Sequence, residues 1–263
     1  MAALLSAAPE LCLSALAGII ENPPAELSAG AFDAIARCFA APSKTIRRRA
    51  ADALAAVARH NPATIEQLRA LLSDADPRMR FGAAYTLGSL GGAALSLEAA
   101  SVLCEALGDS DGDVRWAAAD LLLRCAEMHG ERIHADLIAL ARSDNAAARK
   151  MALYCIRDLR AGRDEALEAA RAAVADRDTH VRLAALALLS ACFGGSETAA
   201  ALMIERLESD SDRGVRRAAA AALGNAGCRS ARAIEALRRA GAQPEDSSLA
   251  RAARTSLDRI TRS

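Results

Sequence analysis

The side chains of this chain that are capable of chemistry are few, and their spacing argues against most chemistries. There are four histidines, His60, His129, His134 and His180. His129 and His134 stand five apart across a turn containing Gly130, which is not the spacing of a metal site. Seven cysteines (12, 38, 104, 125, 155, 192 and 228) include no Cys-x-x-Cys pair, and most fall on apolar helix positions where Cys serves as a small hydrophobe. Cys155 follows Tyr154 at such a position and reads as packing rather than as a nucleophile. Asp120 with Tyr154, or Asp120 with Lys150, is a conceivable acid–base pair. No Ser-His-Asp order and no Gly-rich phosphate loop accompanies it. Gly91-Gly92 and Gly194-Gly195 close helices, where Gly is the usual stop. The expectation is therefore no catalytic residue, no metal and no cofactor.

These residues sit within a repeat. The stretch Asp111-Gly112-Asp113-Val114-Arg115-Trp116-Ala117-Ala118 continues to Leu122, and its two apolar anchors, Val114 and Leu122, are eight apart. The arrangement returns at Ile46/Leu54, Met79/Leu87, Ala148/Ile156, Val181/Leu189, Val215/Leu223 and Leu249/Leu257. First anchors follow one another at 33, 35, 34, 33, 34 and 34 residues, which marks a stacked-repeat architecture.

Each unit holds two helices, A then B, and the motif opens helix B. The B helices are predicted at about 44–59, 77–90, 112–129, 146–160, 179–193, 213–226 and 247–262. The A helices are predicted at about 62–72, 95–108, 131–142, 163–175, 196–209 and 230–240. An apolar helix over 3–21, stopped by Pro23-Pro24, sits where the B helix of a worn-down first unit would be, and a helix over about 25–40 follows it. With no linker or low-complexity tract, the expectation is one domain over 1–263: a degenerate capping helix in 1–24 and seven helix pairs over about 25–262.

Three residues before each first anchor stand Ser43, Asp76, Asp111, Asn145, Asp178, Asp212 and Asp246, all good helix N-caps. Taken alone, Asp111 and Asp178 resemble metal ligands; the register makes them caps. After the anchor come Arg47, Arg80, Arg115, Arg149, Arg182 and Arg216, and five before it Asp74, Asp109, Asp176 and Asp210, with Ser143 and Pro244 departing. Such a set is expected to pair within and between neighbouring units, fixing their stacking register.

Composition agrees. The chain is 52% apolar with 3% aromatic residues, so its core must be built from Ala, Leu, Val and Ile. Formal net charge is zero, which gives no general pull toward nucleic acid or membrane, but residues 213–263 carry 11 Arg against 4 acids and residues 98–144 carry 10 acids against 4 Arg. The odd cysteine count fits a reducing cytoplasm better than a disulfide framework. The first twenty residues lack a basic start and contain Glu10, so they are not read as a signal peptide, and no apolar run is long enough to suggest a membrane span.

The motif resembles HEAT repeats, most of all the short bacterial type also called PBS-lyase HEAT-like repeats. Clear instances are Asp178-Thr179-His180-Val181-Arg182-Leu183-Ala184-Ala185 and Asp212-Arg213-Gly214-Val215-Arg216-Arg217-Ala218-Ala219. The resemblance implies an all-α, right-handed α-solenoid of HEAT-like helix pairs with the B helices on its inner face, and a protein-interaction scaffold or adaptor in a bacterial cytoplasm. Deoxyhypusine hydroxylase has a similar fold but needs repeated His-Glu pairs, and no histidine here is followed by Glu. Phycobilin lyases share the repeat type, which implies a chromophore lyase or chaperone as the alternative. HEAT-like DNA glycosylases set Trp and Asp around a basic groove, which one Trp in a neutral chain does not match. Nucleic-acid binding through the basic end (Arg229, Arg232, Arg238, Arg239, Arg251, Arg254) is a third, disfavoured reading.

If the B helices line the inner face, positions two and six after the first anchor point away from the core, by the 3.6-residue turn. Four of the seven aromatic residues, Phe81, Tyr85, Trp116 and Tyr154, fall there in three consecutive units. With Asp120, Lys150 and Arg157 beside them they form the expected partner-binding surface, centred on Trp116.

Overall fold

The computed structural model describes residues 9–91, 94–160, 164–243 and 246–262. Residues 3–8 of the expected first helix, Gly92, Arg163 and Pro244 lie outside the described residues. Among the described residues there are fourteen α-helices and one 3-10 helix, with no strand. The chain divides into two compact units, residues 1–107 with 111–133, and residues 108–110 with 134–263.

The first unit begins with α1 (Pro9–Glu21), α2 (Ala29–Ala36), a 3-10 turn (Arg37–Ala40) and α3 (Lys44–Ala58). It continues with α4 (Pro62–Leu71), α5 (Pro77–Leu90), α6 (Leu97–Ala106) and the first part of α7 (Gly112–Leu140). The motif starts these helices as expected. The Ser43 hydroxyl accepts from the Ile46 N–H, the Asp76 carboxylate from the Arg78 N–H at 2.8 Å and the Asp111 carboxylate from the Asp113 N–H at 2.9 Å. Pro77 occupies the first helical position, where a missing N–H costs nothing. α1 packs on α3 as α3 packs on α5.

The second unit holds the end of α7, α8 (Ala146–Asp158), α9 (Asp164–Ala173), α10 (Thr179–Cys192), α11 (Glu197–Ser209), α12 (Arg213–Asn225), α13 (Ala231–Gly241) and α14 (Ser247–Arg262). Here α8 packs on α10, α10 on α12 and α12 on α14. Asn145, Asp178, Asp212 and Asp246 each accept a first-turn N–H at 2.9–3.0 Å or, for Asp178, 2.8 Å.

What makes this stacking close is the fourth residue after the anchor. It is Ala50, Ala83, Ala118, Ala152, Ala185, Ala219 and Ala253 in the seven motifs, and every one is wholly buried. A larger side chain there would hold neighbouring helices apart. Two glycines at the same register, nine after the anchors Met79 and Val215, allow still closer approach. A Cβ on Gly88 would stand 2.7 Å from the Leu121 side chain in the first unit, and one on Gly224 would stand 2.5 Å from the Ser256 hydroxyl in the second. Leu16, Leu54, Leu87 and Leu122 complete the first core, and Leu188, Leu189, Leu223 and Leu237 the second.

His129 leaves helical geometry (φ −127°, ψ 30°) and breaks α7 beside Gly130, at the boundary expected between the helices over 112–129 and 131–142. The expected helix over 25–40 starts later, at Ala29, and tightens to 3-10 geometry over its last four residues. Its Ser28 cap belongs to a second set, with Asn61, Ser96, Ser196 and Ser230, that starts the A helices and that the B-helix register does not reveal.

Candidate functional site

The repeated arginines have structural work. Arg149 donates through Nη1 to the carbonyls of Ser143 and Asp144, both at 2.9 Å, and closes a fork on Asp176 through Nε at 2.7 Å and Nη2 at 2.8 Å. Arg182 repeats this on the Asp176 carbonyl and the Asp210 carboxylate, and Arg216 on the Asp210 carbonyl with Asp246 at 3.6 Å. In the first unit Arg80 holds the Asp74 carbonyl at 2.9 Å and reaches Glu105. Each Asp in turn accepts an N–H two residues on, Asp178 for Asp176 and Asp212 for Asp210, which fixes the tight turn between helices. Burial works to raise the Asp176 carboxyl, but the hydrogen bonds from Arg149 and the Asp178 N–H, with the Arg149 charge, hold it below the usual carboxylate range. An Arg bound to its own turn and to the next repeat's carboxylate is a register clamp, not a phosphate-binding stripe.

The seven candidate partner-binding residues divide between the units. In the first, Phe81 and Tyr85 are half-buried one helical turn apart, with ring centroids at 6.0 Å and planes tilted by 45°. Trp116 is 56% exposed, although Ala118, Leu121 and Leu122 on the same helix are buried. Asp120, one turn on from Trp116, is exposed and pairs with Arg124 at 3.0 Å. In the second unit Lys150 and Tyr154 are half-buried. The Arg157 guanidinium lies 4.9 Å from the Tyr154 ring centroid while forking onto Asp158 at 2.7 and 3.0 Å. The hydrogen bonds to Asp158 hold the Arg157 pKa above its ordinary value. The structure thus joins Phe81 to Tyr85 and Tyr154 to Arg157, and gives Asp120 an arginine partner in its own unit.

Among the described residues no three His, Cys, Asp or Glu side chains gather to hold a metal ion. Their cysteines are free thiols, and all but the half-buried Cys192 are buried. Burial first, and then the neighbouring Cys12 thiol at 3.9 Å, pushes Cys38 up to about 12. A thiol so hard to ionise is a poor nucleophile. No helix of the described residues is long and apolar enough to cross a membrane.

Two neighbouring segments, residues 33–123 and 135–224, match the family model for HEAT repeats, well over half of the chain. The chain belongs to the HEAT repeat family. Solved HEAT and solenoid structures carry the same helix-pair architecture. A Kap121p mutant is 13% identical with a TM-score of 0.70 over 98% of this chain and 33% of its own. An engineered protein is 20% identical with a TM-score of 0.50 over 98% of this chain and 76% of its own. Human deoxyhypusine hydroxylase in complex with glycerol is 19% identical over 99% of this chain and 94% of its own, at a TM-score of 0.43. At these identities the likeness concerns fold alone: an all-α HEAT solenoid. The comparison with curated proteins gives no match. Within the HEAT pairs, positions two and six after the anchor are exposed or half-buried in all seven B helices, while the position between them at four is fully buried.

Proposed function

We propose that this HEAT repeat protein is a non-enzymatic interaction scaffold of the bacterial cytoplasm that receives a protein partner on its B-helix face. The observation that carries the reading is the 56% exposure of Trp116, the chain's single tryptophan, at a position two after the anchor. Trp buries more area than any other side chain at little cost in rotamer entropy, so an exposed one on a helix face is a natural anchor for a partner. Phe81 and Tyr85 supply further apolar area in the same unit, and Asp120 a charge. On the second unit Lys150, Tyr154 and Arg157 form a separate cation–aromatic set on the same face of α8.

The test is an affinity pull-down from the source organism with wild type and Trp116→Ala in parallel, each checked by circular dichroism. A specific partner retained by wild type and lost from Trp116→Ala, at unchanged helicity, supports the reading. Equal recovery of that partner by both proteins overturns it.

A further inference from the structure

Between α12 and α14 of the second unit lies a groove of about 490 Å³, within the usual range for a binding site. Arg217 enters it from α12, and Arg251 and Arg259 from α14; Ala221, Ala252 and Thr255 form much of its wall. Among the described residues no acidic one lines it. Arg217 and Arg251 stand at the same register, two after the anchors Val215 and Leu249, and are exposed. Among the described residues neither makes an ion pair or hydrogen bond, in contrast to the clamping Arg149, Arg182 and Arg216. Arg259, two turns beyond Arg251, donates to Asn225 across the groove and holds its mouth in place.

We propose that this groove binds an acidic protein segment in extended conformation, with carboxylates seated on Arg217, Arg251 and Arg259. Spacing supports the assignment. Adjacent packed helices lie about 8–10 Å apart, which sets the step from Arg217 to Arg251. Eight residues of helix rise about 12 Å, which sets the step from Arg251 to Arg259. An extended peptide rises about 3.3 Å per residue with alternate side chains on one face, so carboxylates about four residues apart match the step along α14, and Arg217 flanks the segment from the facing helix. Guanidinium groups favour carboxylates because the two planar forks match and form paired hydrogen bonds. The alanine wall leaves room for a backbone between them.

Nucleic acid fits less well. Non-specific single-strand binding depends on aromatic platforms for stacked bases, and residues 213–263 contain no aromatic residue. The register pattern also explains why the groove is hidden in the sequence. Arg217 and Arg251 are visible at position two, but Arg259 lies at position ten, outside the stripe of positions two and six.

The test uses the full chain and fluorescence anisotropy with a fluorescein-labelled peptide bearing glutamate at every second position in a Gly/Ser background. A labelled oligothymidine is measured alongside. Saturable peptide binding at low salt, weakened about tenfold or more by Arg217→Glu or Arg251→Glu and about twofold or less by Arg232→Glu on α13, supports the proposal. Circular dichroism confirms that each variant is folded. Absence of saturable peptide binding, equal loss in the Arg232→Glu control, or tighter binding of the oligonucleotide than of the peptide overturns it. The Trp116 surface belongs to the first unit, so failure here leaves the pull-down result standing, and the converse also holds.

Discussion

Arg182 closes a two-point fork on Asp210, its Nε and Nη2 each 3.0 Å from a carboxylate oxygen, with 10% and 2% of the two side chains exposed. The same guanidinium holds the carbonyl of Asp176 at 2.9 Å, and Asp210 also accepts the Asp212 N–H at 2.9 Å. One ion pair thus ties α10 to the turn before α12 and shapes both turns. Its net contribution against an apolar pair is small, because removing two charges from water costs about as much as their attraction returns. Breaking it is different. Asp210→Ala leaves the Arg182 charge buried without its carboxylate and is expected to cost about 3–5 kcal/mol. Thermal unfolding checks this, and the double variant Arg182→Met with Asp210→Leu should recover part of the lost stability, the rest being held by the Asp212 N–H and Arg206 that Asp210 also serves. A loss below about 1 kcal/mol in Asp210→Ala would place the clamp among the weak surface pairs.

The equivalent pair one repeat earlier gives a pH signature. Asp176 is held below the usual carboxylate range in the folded chain, so its contribution is fully present above the unfolded value of about 4 and is lost as pH falls through the depressed one. Wild type should therefore lose stability below about pH 4 more steeply than Asp176→Asn, which has no proton to bind at that position. Denaturant midpoints measured from pH 6 down to pH 3 compare the two slopes. Parallel curves would mean that Asp176 does not contribute to acid sensitivity.

Helix–helix distance is set by small residues, and this too can be tested. Alanine is a better helix former than glycine by about 1 kcal/mol, so Gly224→Ala would stabilise an isolated helix. In the folded chain its Cβ would stand 2.5 Å from the Ser256 hydroxyl and 2.9 Å from the Ser256 Cα, which is backbone and cannot rotate away. Overpacking of that kind costs about 1–3 kcal/mol and should outweigh the propensity gain. A lower Tm for Gly224→Ala, partly restored by adding Ser256→Gly, is the expected result. A raised Tm would show that α12 and α14 separate easily.

How much of this was legible in the sequence depends on whether a feature repeats. The caps from Ser43 to Asp246 and the buried alanines recur every 34 residues or so where the register puts them. The expected Arg–Asp pairing forms at Arg149–Asp176 and Arg182–Asp210, but gives way to Glu105 for Arg80 and to the cap residues Asp111 and Asp246 for Arg47 and Arg216. The A-helix caps are missed because the A helices share no motif to align them. The break at His129 falls where the register puts the boundary between the two helices of that unit. The surface is harder still. Exposure at positions two and six follows from helical periodicity, but a residue's partner does not: Asp120 pairs with Arg124 on its own helix. Pairings that fix the fold recur and can be read from the chain, whereas those that would serve function occur once.

The cysteines give a last prediction, about reactivity. Burial raises the thiol pKa of Cys38, Cys125, Cys192 and Cys228, with Cys38 at about 12. Alkylation requires the thiolate, so at pH 8 the native chain should react slowly with iodoacetamide, and Cys38 should be labelled only on unfolding. Cys192, half-buried and with Arg160 and Arg157 opposing the rise, should be labelled before Cys38, Cys125 and Cys228. Peptide mass spectrometry over a time course gives the order. The same shift has a stability consequence. A thiol whose folded pKa is raised supports the fold below its unfolded value of about 8.5, and that support is lost as pH rises toward the folded value. Wild type should therefore weaken between about pH 8.5 and pH 11, and Cys38→Ala should weaken less over that window. Fast native labelling of Cys38 at pH 8 would show that the contact between Cys12 of α1 and Cys38 of the 3-10 turn opens readily.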